Sequence, residues 1–283
     1  MSQFPEFLRF ELGVYVDNLV KWLLNNFSGL FDAIYTAGLW MLIRVDSILR
    51  WLPWWLVLVL IFAAAWKLKG WVSGLIFSAM IFTIGAFGYW VLMMQTLAIV
   101  MTSAVVCLLI GIPTGIFMAY NDKANNMIRP FLDGMQTMPS FVYLIPAVFF
   151  FNLGRIPAVF ATVIYAIPPV IRLTDLGIRG VSREMVEAAH SFGSSNWQTL
   201  TKVQLPQALP TIMTGVNQTT MMALAMVVIA SMVGAPGLGM EVLIGISQLD
   251  IARGFEAGIS IVFLAIIIDR FSQGAVSRYK FPE

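Results

Sequence analysis

Residues 187–212 read EAAHSFGSSNWQTLTKVQLPQALPTI, from Glu187 to Ile212, and form a polar segment in a chain that is otherwise strongly apolar. The polar segment holds charged and hydrogen-bonding side chains together with two prolines. Apolar stretches of membrane-spanning character precede and follow it. Binding residues are concentrated in connections that a rigid scaffold positions, so we expect the polar segment to be a docking surface for another protein.

The composition assigns the chain to the membrane proteins. Of its 283 residues, 59% are hydrophobic and 11% are charged, and the mean hydropathy is +0.83. Soluble domains carry roughly 25% charged residues. The apolar runs are long enough to cross a hydrocarbon core as helices, so we expect an all-α membrane protein rather than a barrel. A net charge of +2 argues against a nucleic-acid partner.

The charge-free stretches predict about seven transmembrane helices. They fall near residues 52–67, 71–93, 97–120, 139–153, 156–171, 211–233 and 257–270. The stretch 70–121 is too long for one helix, and the polar residues of Met94-Gln95-Thr96 mark the predicted break within it. Asn152-Leu153-Gly154-Arg155 separates two short apolar runs and predicts a tight helical hairpin at one membrane face.

The distribution of basic residues predicts the orientation. One set of connections contains most of them: Lys67, Lys69, Lys123, Arg129, Arg172, Arg179, Arg183, Lys202, Arg270, Arg278 and Lys280. The opposite set contains Arg155 and Arg253, if the tail with Arg9, Lys21, Arg44 and Arg50 is left out of the count. Basic residues mark the cytoplasmic side. We therefore expect a multi-pass protein of the cytoplasmic membrane, with the polar segment and the C-terminus inside and the N-terminus outside.

Residues 1–50 predict an extracytoplasmic amphipathic segment. Apolar residues recur at helical spacing between Val16 and Phe27, with Asp17 and Lys21 on the opposite face. A second amphipathic run lies between Ile34 and Ile43. Neither run is apolar enough to cross, so both are expected to lie along the outer interface. An additional helix packed against the core is the alternative.

Capping residues predict a compact helix–turn–helix shape around the start of the polar segment. Ser182 is a suitable N-cap for a first helix, and Gly193 suits the left-handed residue that ends it. Ser195 begins a second, short helix and forms a capping box with Gln198.

Two prolines follow the second helix. Proline lacks the backbone N–H that a helix interior needs, so Pro206 and Pro210 are expected to stop helix formation until the next span starts near Thr211.

The spacing of the polar segment resembles the cytoplasmic loop of the permeases of ATP-binding-cassette importers. That loop has Glu-Ala-Ala, three free positions, Gly, nine free positions, an aliphatic residue, one free position and Leu-Pro. The matching residues here are Glu187, Ala188, Ala189, Gly193, Val203, Leu205 and Pro206. The resemblance implies that these residues form a coupling helix docked on an ATPase subunit.

A narrower resemblance covers most of the chain after residue 130. Segments such as MPSFVYLIPAVFFFNLG and ALAMVVIASMVGAPGLG are similar to permeases of glycine betaine/proline betaine importers. The resemblance implies a type I permease core of five helices in residues 95–283, with a cytoplasmic coupling loop at 172–210. Residues 51–94 then add two transmembrane helices after the amphipathic segment 1–50. A second permease copy and a separate extracytoplasmic substrate-binding protein are the expected partners, because the chain ends at Glu283 without a fused receptor.

The chain carries no nucleotide-binding signature. The pattern G-x-x-x-x-G-K-[ST] is absent, so ATP and Mg²⁺ are expected in a separate ATPase subunit and no cofactor on this chain. His190 is the only histidine and has no visible catalytic partner or co-ligand, so neither a catalytic residue nor a metal site is predicted. The chain is expected to be a transporter subunit and not an enzyme.

Polar residues interrupt the apolar span 211–233. Asn217, with Thr214 and Met221 at adjoining helical positions, is a candidate for lining the translocation pathway. A hydrogen bond that packs two helices is an equally open alternative. The glycines around Pro236 suggest either a turned external loop near a gate or close packing.

The expected function is ATP-driven, receptor-dependent import of glycine betaine or a related compatible solute. An importer permease for choline, methionine or a sulfonate is the main alternative, because selectivity is expected to lie in the receptor. An ion-coupled carrier would show an internal repeat and intramembrane ionisable groups, and neither is evident.

Overall fold

The computed structural model describes residues 12–277, and every regular element in that range is helical. The first seven α-helices are α1 (Leu12–Asn26), α2 (Ser28–Trp51), α3 (Trp54–Lys69), α4 (Trp71–Ala86), α5 (Trp90–Tyr120), α6 (Asp122–Thr137) and α7 (Leu144–Phe151). The remaining seven are α8 (Arg155–Ala166), α9 (Pro168–Arg179), α10 (Arg183–Ser191), α11 (Asn196–Thr199), α12 (Leu205–Ser231), α13 (Leu238–Gln248) and α14 (Ile251–Ser277). The all-α membrane architecture predicted from composition is confirmed.

Four helical runs in the described range are long and apolar enough to cross a membrane: 90–120, 155–179, 196–231 and 251–274. The number rises to six if two bent pairs, α2 with α3 and α6 with α7, each count as one span. Fewer full-length spans are therefore present than the seven predicted. The difference arises because α3 and α4 have 16 residues each, and residues 139–153 do not form one straight helix.

The predicted helix break at residues 94–96 is wrong. Helix α5 runs without interruption from Trp90 to Tyr120, and the chain turns earlier, at Gly88, where φ is +82°. Thr96 is fully buried, and its Oγ1 accepts a hydrogen bond from the backbone N–H of Leu238 at 2.9 Å. The polar residue that suggested a break is thus a packing contact inside the bundle.

The predicted hairpin at residues 152–155 is confirmed. A short 3₁₀ turn (Ser140–Tyr143) leads into α7, which ends at a turn where Asn152 and Gly154 have φ values of +60° and +135°. Glycine adopts such angles without a steric penalty. The backbone N–H of Gly154 donates to the carbonyl of Val233 at 2.8 Å, which ties the hairpin to the end of α12.

Helix α9 lies between α5 and α12 and forms the centre of the bundle. Glycines make this close approach feasible on both sides. A Cβ atom at Gly115 of α5 would lie 2.6 Å from the carbonyl oxygen of Ile171, and one at Gly215 of α12 would lie 3.2 Å from the Cα of Val170. Small residues at helix contacts are typical of membrane bundles, where packing rather than water exclusion drives association.

The second amphipathic run of the N-terminal segment is part of the 24-residue helix α2, which packs against α5, α7 and α8. Leu42 is fully buried, and Asp46 pairs with Arg155 at 3.2 Å. These contacts favour the packed-helix alternative for this run. Helix α1 leaves Tyr15, Leu19 and Trp22 exposed, and residues 1–11 of the predicted segment lie outside the described residues.

Candidate functional site

Helix α10 forms the first half of the candidate site and has no buried residue. Glu187 and Ala188 are exposed, whereas Ala189 is half-buried. Arg183 pairs with Glu187 one turn later at 2.8 Å, which supports an exposed helix of only nine residues. Ser182 stands at the predicted N-cap position, but its side chain makes no capping hydrogen bond.

The turn after α10 has the predicted local chemistry. Gly193 has a φ of +80°, and the backbone N–H of Ser194 donates to the Ala189 carbonyl at 3.1 Å. The capping box is complete, because the Gln198 N–H donates to Ser195 Oγ at 3.3 Å and the Ser195 N–H donates to Gln198 Oε1 at 2.9 Å. Short-range hydrogen bonds therefore set the angle between α10 and α11.

The predicted stop of helix formation at Pro206 and Pro210 is wrong. A π-helical turn (Leu200–Gln204) joins α11 to α12 without a break, and α12 begins at Leu205 rather than near Thr211. Pro206 lies in the first turn of α12, where a missing N–H costs little, and Pro210 lies inside the helix. The wider π turn before them is the kind of irregularity that accompanies functional segments of helices.

Leu200 anchors the site to the membrane bundle. It is buried with Ile178, Ala208 and Ile212, and Leu205 packs against this cluster. Val203 is half-buried, and the Tyr120 hydroxyl donates to the Gln204 side chain. The second half of the predicted motif thus holds the site in place, while its first half faces outward.

Three large apolar side chains project from the site into the surroundings. Phe192 is 92% exposed, Trp197 is 71% exposed and Met185 is 50% exposed. Large apolar residues clustered among polar ones mark interaction surfaces, and aromatic residues are frequent energetic centres of protein interfaces. Sequence reasoning missed these residues because Phe192 and Trp197 occupy free positions of the motif and Met185 precedes it. The signal for Phe192 and Trp197 was the presence of aromatic side chains in an otherwise polar loop.

An arginine at the end of α9 ties the start of the site to two other helices. Arg179 donates to Asp175 Oδ1 and Asp122 Oδ1, each at 2.7 Å, and to the Met118 carbonyl at 2.6 Å. Asp175 is 3% exposed, and its Oδ2 accepts from Asn125 Nδ2 at 3.0 Å. This arrangement, here called the Arg179 network, connects the ends of α5, α6 and α9 four residues before α10. The four-residue spacing of Asp175 and Arg179 is a sequence signal for a helical ion pair, whereas nothing in the pattern pointed to Asn125 or Asp122.

The three candidate pathway residues share one face of α12 but differ in their surroundings. Asn217 Nδ2 donates to Asp269 Oδ1 of α14 at 3.1 Å, the kind of contact that packs two helices. Thr214 is exposed and its hydroxyl donates to the Pro210 carbonyl, while Met221 is half-buried. Their assignment to the pathway stays a prediction.

Close packing explains two of the three glycines around Pro236, whereas Gly234 has a φ of +85° and would place a Cβ atom no closer than 3.7 Å to a neighbour. A Cβ atom at Gly237 would lie 2.5 Å from Thr96 Oγ1, and one at Gly239 would lie 2.4 Å from the Val227 carbonyl oxygen. The packing alternative therefore accounts for both positions.

The fold defines a class of protein: a helical membrane protein with a short, exposed helix–turn–helix segment between the helical runs 155–179 and 196–231. Residues 111–280 match the family described as binding-protein-dependent transport system inner membrane component. This chain belongs to that family of permease subunits, which work with an ATPase and a substrate-binding protein in the membrane.

Relatives match over nearly the whole chain. The glycine betaine transport system permease protein OpuAB of Bacillus subtilis is 45% identical over 269 residues, covering 94% of each chain. The glycine betaine/carnitine transport permease protein GbuB of Listeria monocytogenes is 46% identical and covers 95% of this chain and 96% of that protein. An inward-facing structure of the MetNI methionine transporter matches the fold with a TM-score of 0.61 at 20% identity, over 66% of this chain and 94% of that chain.

Proposed function

We propose that this chain is the permease of an ATP-driven importer of glycine betaine. The observation that carries the proposal is the identity of 45–46% over nearly the full length to two permeases named for glycine betaine transport. A third relative, the glycine betaine/proline betaine transport system permease protein ProW of Escherichia coli, is 44% identical over 94% of this chain. The shared solute of all three names is glycine betaine.

The ATPase subunit of the proposed complex docks on residues 182–205. The exposed side chains of Met185, Phe192 and Trp197 supply apolar anchors, and the Gly193 turn sets the angle between the two short helices. Glu187 and Ala188 lie on the exposed surface beside them. ATP and Mg²⁺ bind to the ATPase, and the movement of its two copies is transmitted through this surface.

Two copies of the permease form the pathway, and an extracytoplasmic binding protein delivers the solute. The excess of Lys and Arg on one set of connections supports a cytoplasmic position for residues 182–205 and for the C-terminus, with the N-terminus outside. Thr214 and Met221 remain candidates for the pathway wall, whereas the bond of Asn217 to Asp269 favours a packing role for the asparagine.

Reconstitution tests the proposal directly. The permease, its ATPase and its receptor are placed in proteoliposomes, and uptake of labelled glycine betaine is measured with ATP and with a non-hydrolysable analogue. ATP-dependent accumulation is expected. Uptake that persists without the ATPase subunit would refute an ATP-driven importer, and uptake of carnitine or choline without glycine betaine would replace the proposed solute.

A pair of matched variants tests the docking surface. Glu187→Arg changes the charge at the exposed face of α10, whereas Glu184→Arg makes the same change one turn earlier, outside the motif. We expect Glu187→Arg to lose ATPase association while membrane insertion persists. Equal loss in both variants would show that charge alone, and not the motif position, governs docking.

A further inference from the structure

A cavity of about 310 Å³, lined by both polar and apolar side chains, lies against α9. Helices α5, α6, α9 and α12 line it. The polar side chains of the lining are Arg129, Gln136, Arg172, Asp175 and Gln218. Ligand pockets typically start at roughly 300 Å³, so the space suits a single small solute. Arg129 is exposed and Arg172 is half-buried, so Arg172 is the more enclosed of the two guanidinium groups.

One buried hydrogen-bond donor of the cavity lining lacks an acceptor in the described part of the chain. Arg172 Nε is buried and has no partner in the described part of the chain. Asp175 is the carboxylate on the lining, and both of its oxygens are already occupied, by Arg179 and by Asn125. Buried donors in folded proteins almost always find an acceptor, so an unpaired guanidinium nitrogen points to a missing ligand or to water.

The remaining polar residues of the lining, apart from Asp175, are exposed. Within residues 12–277 no ion pair involves Arg129, and no side-chain hydrogen bond involves the amides of Gln136 or Gln218. The Nη2 group of Arg172 pairs with Asp133 of α6, and this contact holds the side chain in a fixed direction. A planar guanidinium held in this way is suited to recognise a carboxylate.

We propose that this cavity is a low-affinity subsite that binds the carboxylate of the transported solute through Arg172, with Arg129 and Gln218 beside it. The inference rests on the proposed function and states which chemical group of the solute binds at one point of the translocation pathway. No aromatic side chain is among the described residues that line the cavity, so the quaternary ammonium group is not enclosed here. Because the cavity holds only the carboxylate end, binding is weak and the solute can dissociate again.

Solute binding to the permease–ATPase complex in nanodiscs, without the receptor, tests the subsite. Saturation-transfer NMR compares glycine betaine with choline, which shares the trimethylammonium group and lacks the carboxylate. We expect millimolar binding of glycine betaine and at least about tenfold weaker binding of choline, the usual effect of losing a charge-assisted hydrogen bond. Equal binding of both probes, or no binding of glycine betaine, would overturn the subsite.

Three variants separate ligand binding from a structural role. Arg172→Gln removes the guanidinium, and Gln218→Glu puts a negative charge on an exposed α12 position, so each is expected to weaken glycine betaine binding about tenfold. Asp133→Asn removes the charge of the ion pair with Arg172, but its amide oxygen can still accept from Arg172 and every cavity donor stays in place, so binding is expected to persist. If Asp133→Asn weakens binding as much as Arg172→Gln, the arginine acts through the ion pair and the subsite is refuted.

Different results would contradict the importer proposal and the subsite proposal. Normal ATP-dependent uptake of glycine betaine, combined with unaltered binding in Arg172→Gln and Gln218→Glu, overturns the subsite alone. Carboxylate-dependent binding that Arg172→Gln abolishes, without any uptake in the complete system, overturns the importer proposal and supports the subsite.

Discussion

The docking surface and helix α9 are adjacent in the chain, yet different forces shape them. Helices α10 and α11 are exposed, and their geometry depends on hydrogen bonds between residues three to five apart. Helix α9 is buried between α5 and α12, and its position depends on glycines and carboxylates far away in sequence. The Arg179 network lies where the two regions meet. Changes in α9 should therefore affect folding, and changes in the docking surface should affect partner binding.

The largest expected effect comes from the buried carboxylate of the Arg179 network. Asp175→Ala leaves Arg179 and Asn125 without their shared acceptor, and breaking a buried ion pair costs roughly 3–5 kcal/mol. We expect a destabilisation of about 3 kcal/mol, at the lower end because Arg179 is partly exposed. Thermal unfolding in detergent measures it. The control is Asp122→Ala, which removes the exposed partner of the same arginine and should cost less than about 1 kcal/mol. Equal losses would show that burial does not decide the energetics of the network.

The glycines that flank α9 should give the next largest effect. Gly115→Ala places a Cβ atom 2.6 Å from the Ile171 carbonyl oxygen, so α5 and α9 must move apart. Overpacking of this kind costs about 2 kcal/mol, and the same unfolding assay detects it. Gly134→Ala in α6 is the matched control, since nothing lies within 4 Å of the added Cβ. There the alanine should be neutral or stabilise the helix by up to about 1 kcal/mol. A similar loss in both variants would contradict close packing as the reason for Gly115.

Variants of the docking surface should weaken partner binding and leave folding stability unchanged. Replacing both Phe192 and Trp197 with serine removes the exposed apolar anchors, and each interface hot spot contributes about 2 kcal/mol or more to binding. ATPase affinity should fall at least tenfold, while the unfolding temperature stays unchanged. Co-purification and fluorescence titration of the ATPase measure the effect. Leu249→Ser, at an equally exposed apolar residue between α13 and α14, should leave ATPase binding intact. Unchanged affinity in the double variant would remove the aromatic pair from the interface.

The smallest effect belongs to the capping box. Ser195→Ala removes the acceptor of the Gln198 N–H and should cost about 1 kcal/mol, the usual loss for an N-cap. Ser182→Ala is its control, because the Ser182 side chain makes no capping hydrogen bond. Hydrogen exchange of the α10 and α11 amides distinguishes the two. Faster exchange in both variants, or in neither, would show that the capping hydrogen bond of Ser195 does not stabilise the turn.

Local chemistry explains which parts of the site were predictable. The Gly193 turn, the Ser195–Gln198 box and the hairpin at 152–155 each depend on a few neighbouring residues, so short sequence signals identified them. The breaks predicted at residues 94–96 and at the two prolines were wrong. Contacts with distant residues stabilise Thr96 inside α5, and a π turn accommodates the entry into α12. Propensities of single residues do not contain that information.

The sequence by itself determined the membrane class, the docking motif and the family resemblance, since apolar run lengths and motif spacing are properties of the chain alone. Only the tertiary structure decided the rest. It placed Asn125 of α6 on the second oxygen of Asp175, and it left Arg172 Nε facing a cavity without a partner in the described part of the chain. The physical reason is that hydrogen-bond satisfaction of a buried group depends on helices that meet across the bundle, 50 or more residues apart in the chain.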